Sequence, residues 1–125
     1  MRKQSEWSGL AEFKHDFRNF VAERDWEQFH SPKNLAMALA GEVGELLEHF
    51  QWLSEEESRG LSAENLEAVA REIADIQIYL VSLSDCLGID IGPAVARKME
   101  LNTEKYPADL ARGNALKYNK VPGNK

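Results

Sequence analysis

The sequence predicts an all-α protein, and three observations support this fold class. Three of four candidate helical segments place apolar residues three or four positions apart, which is the spacing of one face of a helix. Serine, glycine and proline residues stand where these segments begin and end, as they do at helix termini. No segment keeps the alternation of apolar and polar residues that a half-buried strand requires. A helical bundle is therefore expected.

The first predicted helix runs from about Ser8 to Glu23. Its apolar face consists of Leu10, Phe13, Phe17 and Phe20. Residues 24–30 break this spacing and are predicted to form a connection.

The second predicted helix opens with Ser31 as the N-cap residue and Pro32 at the first helical position. It is expected to continue to about Leu53. Its apolar stripe consists of Leu35, Leu39, Val43, Leu46, Phe50 and Leu53. The polar stretch 54–60 is predicted to be a loop.

The third predicted helix begins after Ser62 and ends near Leu87, where Gly88 is suited to terminate it. Its main apolar stripe consists of Val69, Ile73, Ile76, Leu80, Leu83 and Leu87. Ile78 and Val81 lie on other sides, so this helix is apolar around much of its circumference and needs burial on several faces. One small bundle barely supplies that burial, so the sequence predicts oligomerisation.

The fourth predicted helix follows Gly92 and Pro93 and runs to about Tyr106, where Pro107 stops it. Residues 108–125 show no clear period and are expected to form a C-terminal tail. The length of 125 residues corresponds to one domain, so a single domain is expected over residues 1–125, with its core over about 8–107.

The composition excludes several classes of protein. Lys and Arg number 15 and Asp and Glu 21, and the net charge of −6 argues against binding to duplex nucleic acid. The single cysteine, Cys86, excludes an internal disulfide framework and a Cys-rich zinc site. No apolar run approaches the ~20 residues of a membrane span, and residues 1–10 lack the apolar stretch of a signal peptide. A soluble, cytoplasmic protein that does not bind membranes is expected.

A second stripe lies beside the apolar stripe on two of the predicted helices. On the second helix it consists of Glu42, Glu45, His49 and Trp52, and on the third of Glu72, Asp75 and Tyr79. Each acid precedes a core position by one residue, so both acid pairs are expected about a quarter turn from the core centre. Partly buried carboxylates repel one another unless a cation compensates them. Two facing pairs of acids therefore predict a site for Mg²⁺, with substrate phosphates completing its coordination.

The fourth predicted helix adds a face with two cations and an amide, formed by Lys98, Asn102 and Lys105. Such a face suits a polyphosphate whose charge is also neutralised by carboxylate-bound Mg²⁺. A solvated basic surface is the more common explanation for these residues alone, and only their combination with the acid pairs favours a site. The aromatic residues Trp26, Phe29, Trp52 and Tyr79 suit either a pocket for a base or an ordinary core.

The acid pairs also carry a resemblance. Glu42-Val43-Gly44-Glu45, followed after 26 residues by Glu72-Ile73-Ala74-Asp75, resembles the E-x-x-E…E-x-x-D signature of the all-α nucleoside triphosphate pyrophosphohydrolases, the MazG-like superfamily. The stretch 22–30 resembles the dCTP pyrophosphatase branch almost letter for letter. So do 41–46, 50–52, 78–81 and 105–107. The resemblance covers roughly residues 12–121.

This resemblance implies hydrolysis of a deoxynucleoside triphosphate, dCTP or a modified dCTP, to its monophosphate and pyrophosphate, which would remove unwanted triphosphates from the nucleotide pool. It implies Mg²⁺, or Mn²⁺ in its place, held by Glu42, Glu45, Glu72 and Asp75, which are also the expected catalytic residues. The implied substrate-binding residues are Trp26, Glu27, Gln28, Phe29, His30, Trp52, Tyr79, Lys98, Asn102 and Lys105. The implied fold is a compact four-helix unit that dimerises and commonly pairs again into a tetramer.

Several alternatives stay open at this point. Phe17 stands where vertebrate members of the branch place a base-contacting histidine, so a broad-specificity or dUTP-directed enzyme remains an alternative. The sequence does not choose which acid is the general base, although Glu45 is a candidate, or whether water attacks the α or the β phosphorus. A non-catalytic nucleotide-binding module is a further alternative. A di-iron bundle is disfavoured, because the second and third predicted helices lack its Glu-x-x-His motif.

Overall fold

The computed structural model describes residues 7–124, and this part of the chain is all-helical. Six α-helices and two 3₁₀ helices make up 72% of it, and it contains no strand. All four predicted helices are present, so the all-α fold class is confirmed. The outermost residues of the predicted domain, 1–6 and 125, lie outside the described residues.

The described chain forms two compact units, Met1–Gly88 and Ile89–Lys125. The first unit contains four α-helices and a 3₁₀ helix at Glu27–Phe29. The α-helices are α1 (Leu10–Glu23), α2 (Pro32–Glu48), α3 (Glu55–Arg59) and α4 (Ala63–Cys86). The expectation of one domain over residues 1–125 stays a prediction.

Serine caps start α2 and α4 where the sequence places them. The Ser31 hydroxyl accepts a hydrogen bond from the Asn34 backbone N–H at 3.2 Å, and the Ser62 hydroxyl accepts one from the Asn65 N–H at 3.2 Å. Each bond satisfies a backbone donor that has no partner within its own helix. At the other end of α4, Gly88 adopts a φ of 69°, which a glycine reaches without steric cost.

The prediction was wrong between residues 49 and 60. α2 ends at Glu48 rather than near Leu53, and the short helix α3 replaces most of the predicted loop. A capping box explains α3. The Glu57 N–H donates to the Ser54 hydroxyl at 3.1 Å, and the Ser54 N–H donates to the Glu57 carboxylate at 2.9 Å.

The core of the first unit forms where α4 packs against α2 on one side and α1 on another. Its buried apolar side chains are Val21, Leu35, Val69 and Val81. Val81, expected away from the main stripe, is only 1% exposed, because it faces α1. Five residues of the predicted apolar faces are exposed instead: Leu10, Val43, Ile73, Leu80 and Leu87. The predicted core face of α4 was therefore partly wrong.

The second unit contains α5 (Ile91–Lys105), α6 (Ala108–Ala111) and a 3₁₀ helix at Tyr118–Lys120. α5 begins two residues before Pro93, because a proline in the first turn loses no helical hydrogen bond. The tail folds back on α5. The Asn124 amide donates to the Lys105 carbonyl at 2.6 Å and to the Tyr118 carbonyl at 2.9 Å, and the neighbouring Val121 is buried.

Within residues 7–124, no single helix combines the length and the apolar character needed to cross a membrane. The helices α4 and α5 satisfy that test by length and composition only when they are taken as a pair.

Val81→Ala should lower the free energy of unfolding by about 2 kcal/mol, because it removes two methyl groups from a nearly inaccessible site. Urea denaturation followed by circular dichroism measures this loss. Val95→Ala, on the exposed surface of α5, is the matched control and should change stability by less than ~0.5 kcal/mol. Equal losses in the two variants would contradict the assignment of Val81 to the core.

Candidate active site

The contact between α2 and α4 brings three carboxylates together. Glu42 and Glu45 lie one turn apart on α2, and Glu72 faces them from α4. One oxygen from each of the three lies within 4.8 Å of the others. The sequence predicted this meeting of acids from two helices.

Two carboxylate oxygens of these three residues have no partner in the described part of the chain. Glu42 Oε2 and Glu72 Oε2 are both buried, and neither accepts a hydrogen bond there. Buried polar atoms are normally paired, so the two oxygens call for an explanation. A hard divalent cation fits this set of donors, because Mg²⁺ and Mn²⁺ bind carboxylate oxygens and water.

The crowding of acids changes the protonation of Glu42. Burial, a hydrogen bond shared with Glu45 and the negative charges of Glu45, Asp75 and Glu72 raise the pKa of Glu42 from 4.5 to about 7. Each cause disfavours the charged form. A bound cation would reverse this balance, since it favours the carboxylate over the protonated acid.

The fourth predicted acid, Asp75, lies outside the group of three close oxygens. Its charge nevertheless acts on Glu42, so it belongs to the same electrostatic environment. Its role as a metal ligand stays a prediction.

The acids lie closer to the helix interface than the sequence indicated. Glu42 and Glu72 are half-buried, whereas Val43 and Ile73, the adjacent residues expected in the core, are exposed. The predicted quarter turn between the acids and the core centre was therefore wrong. Leu35 and Val69, which belong to the predicted apolar stripes, are buried as expected, so only part of each stripe lies outside the core.

His49 is a residue that the predicted site omitted. Its Nε2 lies 3.7 Å from Glu72 Oε1, close enough for an ion pair when the imidazole is protonated. The spacing of His49 from Glu42 and Glu45 on one helical face was the signal that indicated this position.

A cavity of about 260 Å³ lies at the C-terminal end of α4, between this helix and α1. The residues around it include Phe13, Phe17, Glu27, His30, Ser82 and Cys86. Glu27 and His30 were predicted to bind substrate. Ser82 and Cys86 were not, although they continue the spacing of Glu72, Asp75 and Tyr79. His15 is exposed and is not part of the lining, so it does not replace the histidine expected at position 17.

The other predicted substrate-binding residues of the first unit lie in different surroundings. Trp26 packs edge-on against Phe20, with ring centroids 5.8 Å apart. The Gln28 amide donates to Asp25, and Phe29 is exposed. Trp52 is 85% exposed, and Tyr79 is half-buried.

Lys98, Asn102 and Lys105 lie on one face of α5 in the second unit. Lys105 Nζ lies over the Tyr118 ring, 5.1 Å from its centroid, while Lys98 is exposed and Asn102 is half-buried. Contact of these three side chains with phosphates stays a prediction.

Comparison with known proteins identifies the family. The model of the MazG-like family matches residues 38–121, which include both acid pairs and all of α4 and α5. The chain belongs to the MazG-like family. It is 49% identical over 105 residues to human (Homo sapiens) dCTP pyrophosphatase 1 and 50% identical to the Bos taurus protein of that name. Each alignment covers 82% of this chain and 62% of the relative, so the chain spans under two thirds of these relatives' length.

A solved structure is similar as well. A pyrophosphatase from Archaeoglobus fulgidus DSM 4304 superposes with a TM-score of 0.71 at 41% sequence identity, covering 85% of this chain and 99% of that one. The resemblance drawn from the acid pairs is thus confirmed at the level of the MazG-like family.

Glu42→Gln should stabilise the metal-free protein at neutral and alkaline pH. Because the folded state raises the pKa of Glu42 above 4.5, this group destabilises folding increasingly as pH rises from 4.5 through about 7. The variant should therefore melt at a higher temperature than the wild type at pH 8, and the difference should shrink towards pH 4.5. Thermal denaturation in EDTA across this range measures the effect.

Glu48→Gln is the matched control, because Glu48 is an exposed acid of α2 outside the cluster. A pH-independent difference between Glu42→Gln and the wild type would contradict the raised pKa.

Proposed function

We propose that this MazG-like protein is a metal-dependent nucleoside triphosphate pyrophosphohydrolase that acts on dCTP or a modified dCTP. The supporting observation is the cluster of Glu42, Glu45 and Glu72, with two buried oxygens that lack partners in the described chain. The relatives named dCTP pyrophosphatase 1 support this activity and this substrate. Such an enzyme would remove surplus or damaged triphosphates before a polymerase uses them.

In this proposal Glu42, Glu45, Glu72 and Asp75 hold Mg²⁺, or Mn²⁺ in its place. The ion would polarise the phosphate oxygens and stabilise the negative charge of the leaving pyrophosphate. Glu45, the exposed acid of the three, orients the attacking water and accepts its proton. Water adds to phosphorus while the bond to the bridging oxygen breaks, which yields the monophosphate and pyrophosphate.

The remaining predicted residues would bind the substrate. Lys98, Asn102 and Lys105 would meet the phosphates, since two cations and an amide donor suit oxygen anions. Residues 26–30 with Trp52 and Tyr79 would surround the nucleoside.

A wider substrate range is the second candidate function, and one observation favours it. Phe17 lines the cavity at the position where the dCTP branch is expected to carry a histidine. A phenyl ring offers contact area but no hydrogen bond, so it discriminates weakly among bases.

Glu45→Gln should lower kcat for dCTP by ~10²-fold or more, because the amide can neither accept the water's proton nor hold the cation as a carboxylate does. Pyrophosphate release from dCTP, 5-methyl-dCTP, dUTP and the purine triphosphates measures it, with Mg²⁺ and with EDTA. Glu48→Gln, on the same helix but outside the cluster, should retain wild-type turnover.

Each outcome of this assay decides between candidates. Turnover of dCTP that EDTA abolishes supports the proposal, and similar turnover of many bases supports the wider range. Binding of triphosphates without hydrolysis by the wild type would leave a nucleotide-binding module instead.

We also propose that residues 1–125 form one domain that assembles into a cytoplasmic homodimer, two of which pair into a tetramer. The support is an apolar surface on the first unit that nothing in the described chain covers. On α4 it consists of Leu66, Ile73, Leu80 and Leu87, spaced seven residues apart, and on α2 of Met37, Val43 and Leu47. Exposed apolar residues that repeat along one side of a helix are typical of protein interfaces.

Ile73→Glu should convert the wild-type oligomer to monomers, because a buried unpaired carboxylate opposes association. Size-exclusion chromatography with light scattering measures the mass. Leu116→Glu, an equally drastic change at an exposed residue of the second unit, should leave the mass unchanged. A wild-type protein that is monomeric at micromolar concentration would refute the homo-oligomer.

A further inference from the structure

The acid stripe of α4 continues into the cavity. Glu72, Asp75, Tyr79, Ser82 and Cys86 follow one another at spacings of 3, 4, 3 and 4, which places them along one side of the helix. The last two line the cavity. Ser82 lies seven positions after Asp75, which corresponds to a rise of about 10 Å along the helix. One side of α4 thus connects the carboxylates with the cavity over a distance that a nucleotide spans between its phosphates and its base.

Ser82 carries an unsatisfied hydroxyl. Its Oγ is buried and has no hydrogen-bond partner within residues 7–124. The neighbouring Ser84 differs, since its hydroxyl donates to the Leu80 carbonyl at 2.9 Å. Back-bonding to the helix is the usual solution for a serine in a helix interior. Ser82 does not use it, so its hydroxyl keeps both its donor and its acceptor capacity. A rotation about the Cα–Cβ bond would turn the hydroxyl from its buried position into the cavity that Ser82 lines.

The rest of the cavity suits a flat heterocycle. On the α1 side, Phe13 and Phe17 stack with their centroids 5.6 Å apart. Glu27 and His30 add polar groups near the 3₁₀ helix. Ligand sites typically combine such apolar walls with a small number of polar groups that fix orientation.

We propose that Ser82 is a specificity-determining residue of the nucleotide site and that its hydroxyl hydrogen-bonds the base of the bound substrate. This inference rests on the proposed function, and it adds a residue that the acid motifs do not include. The polar edge of a nucleobase supplies the partner that the protein does not give to Ser82. Phe17 contributes stacking surface, while Ser82 supplies a hydrogen bond from the opposite helix.

The test compares Ser82→Ala with Ser84→Ala on two substrates. One is dCTP, and the other is the 5-triphosphate of 1,2-dideoxyribose, which has no base. Ser82→Ala should lower kcat/KM for dCTP by about 5- to 20-fold, mainly through KM, which is the usual effect of losing one hydrogen bond. It should change kcat/KM for the baseless substrate by less than about two-fold.

Ser84→Ala removes a hydroxyl that is already satisfied within the helix, so it should leave the ratio of the two substrates at the wild-type value. An equal loss on both substrates in Ser82→Ala would show a structural role and overturn the proposal. Unchanged kinetics on dCTP would overturn it as well.

Cys86 gives a second, independent measurement, because it is the single thiol of the chain, is exposed and lines the same cavity. A non-hydrolysable α,β-methylene analogue of dCTP should slow alkylation of Cys86 by iodoacetamide. Protection without any turnover by the wild type would support the base contact while refuting the enzyme. Binding of the analogue by calorimetry without protection would refute the base contact alone, and absence of binding would refute both.

Discussion

The packing of α4 against α2 is the contact on which the rest of the structure depends. It is the main contact between helices, and it also brings Glu42, Glu45 and Glu72 together. Acids at a helix interface oppose folding, since each buried carboxylate loses hydration and repels the others. The raised pKa of Glu42 reflects the same loss of hydration and the same repulsion between carboxylates. The same contact between α2 and α4 therefore forms the core packing and the candidate metal centre. A cation that binds the acids would also stabilise the packing of the two helices.

The second contact, between α1 and α4, has a different character. Val21 and Val81 provide its buried surface. Arg18 forms a bidentate ion pair with Asp85, and both residues line the cavity. The hydrogen bonds from Arg18 lower the pKa of Asp85, but the exposure of the Arg18 side chain leaves this pair little weight in stability. Because few side chains pack between α1 and α4, space remains between the two helices. That space is the cavity lined by Phe17 and Ser82. One side of α4 thus packs against α2 and carries Glu72, and another side lines a cavity that is open to a ligand.

The sequence predicted those features that short stretches of chain determine. The caps at Ser31 and Ser62 and the stop at Gly88 depend on local hydrogen bonds and backbone freedom, and all three occur as expected. The start of α3 could also have been predicted, because Ser54 and Glu57 match the pattern of a capping box. The buried side of α4 could not have been predicted from the sequence. Because α4 is apolar on several sides, its sequence alone does not determine whether Val81 or Ile73 is buried. The positions of α1 and α2 determine which side of the helix is covered. The unpaired hydroxyl of Ser82 likewise depends on tertiary packing.

The orientation of α4 is informative for the same reason. Turning this helix by one residue position, about 100°, would exchange Glu72 for Ile73 at the interface with α2. At this one position hydrophobic burial favours that exchange, since Ile73 is 54% exposed and Glu72 Oε2 is buried without a partner in the described chain, but the same turn would move the buried Val69 and Val81 away from the core. The observed orientation therefore buries two valines but leaves an isoleucine exposed and a carboxylate oxygen unpaired in the described chain. A cation on the acids and a second copy of the chain on Ile73 and the exposed leucines of α4 would each remove one of these two penalties. The two proposals thus account for two different sides of one helix, and neither can replace the other.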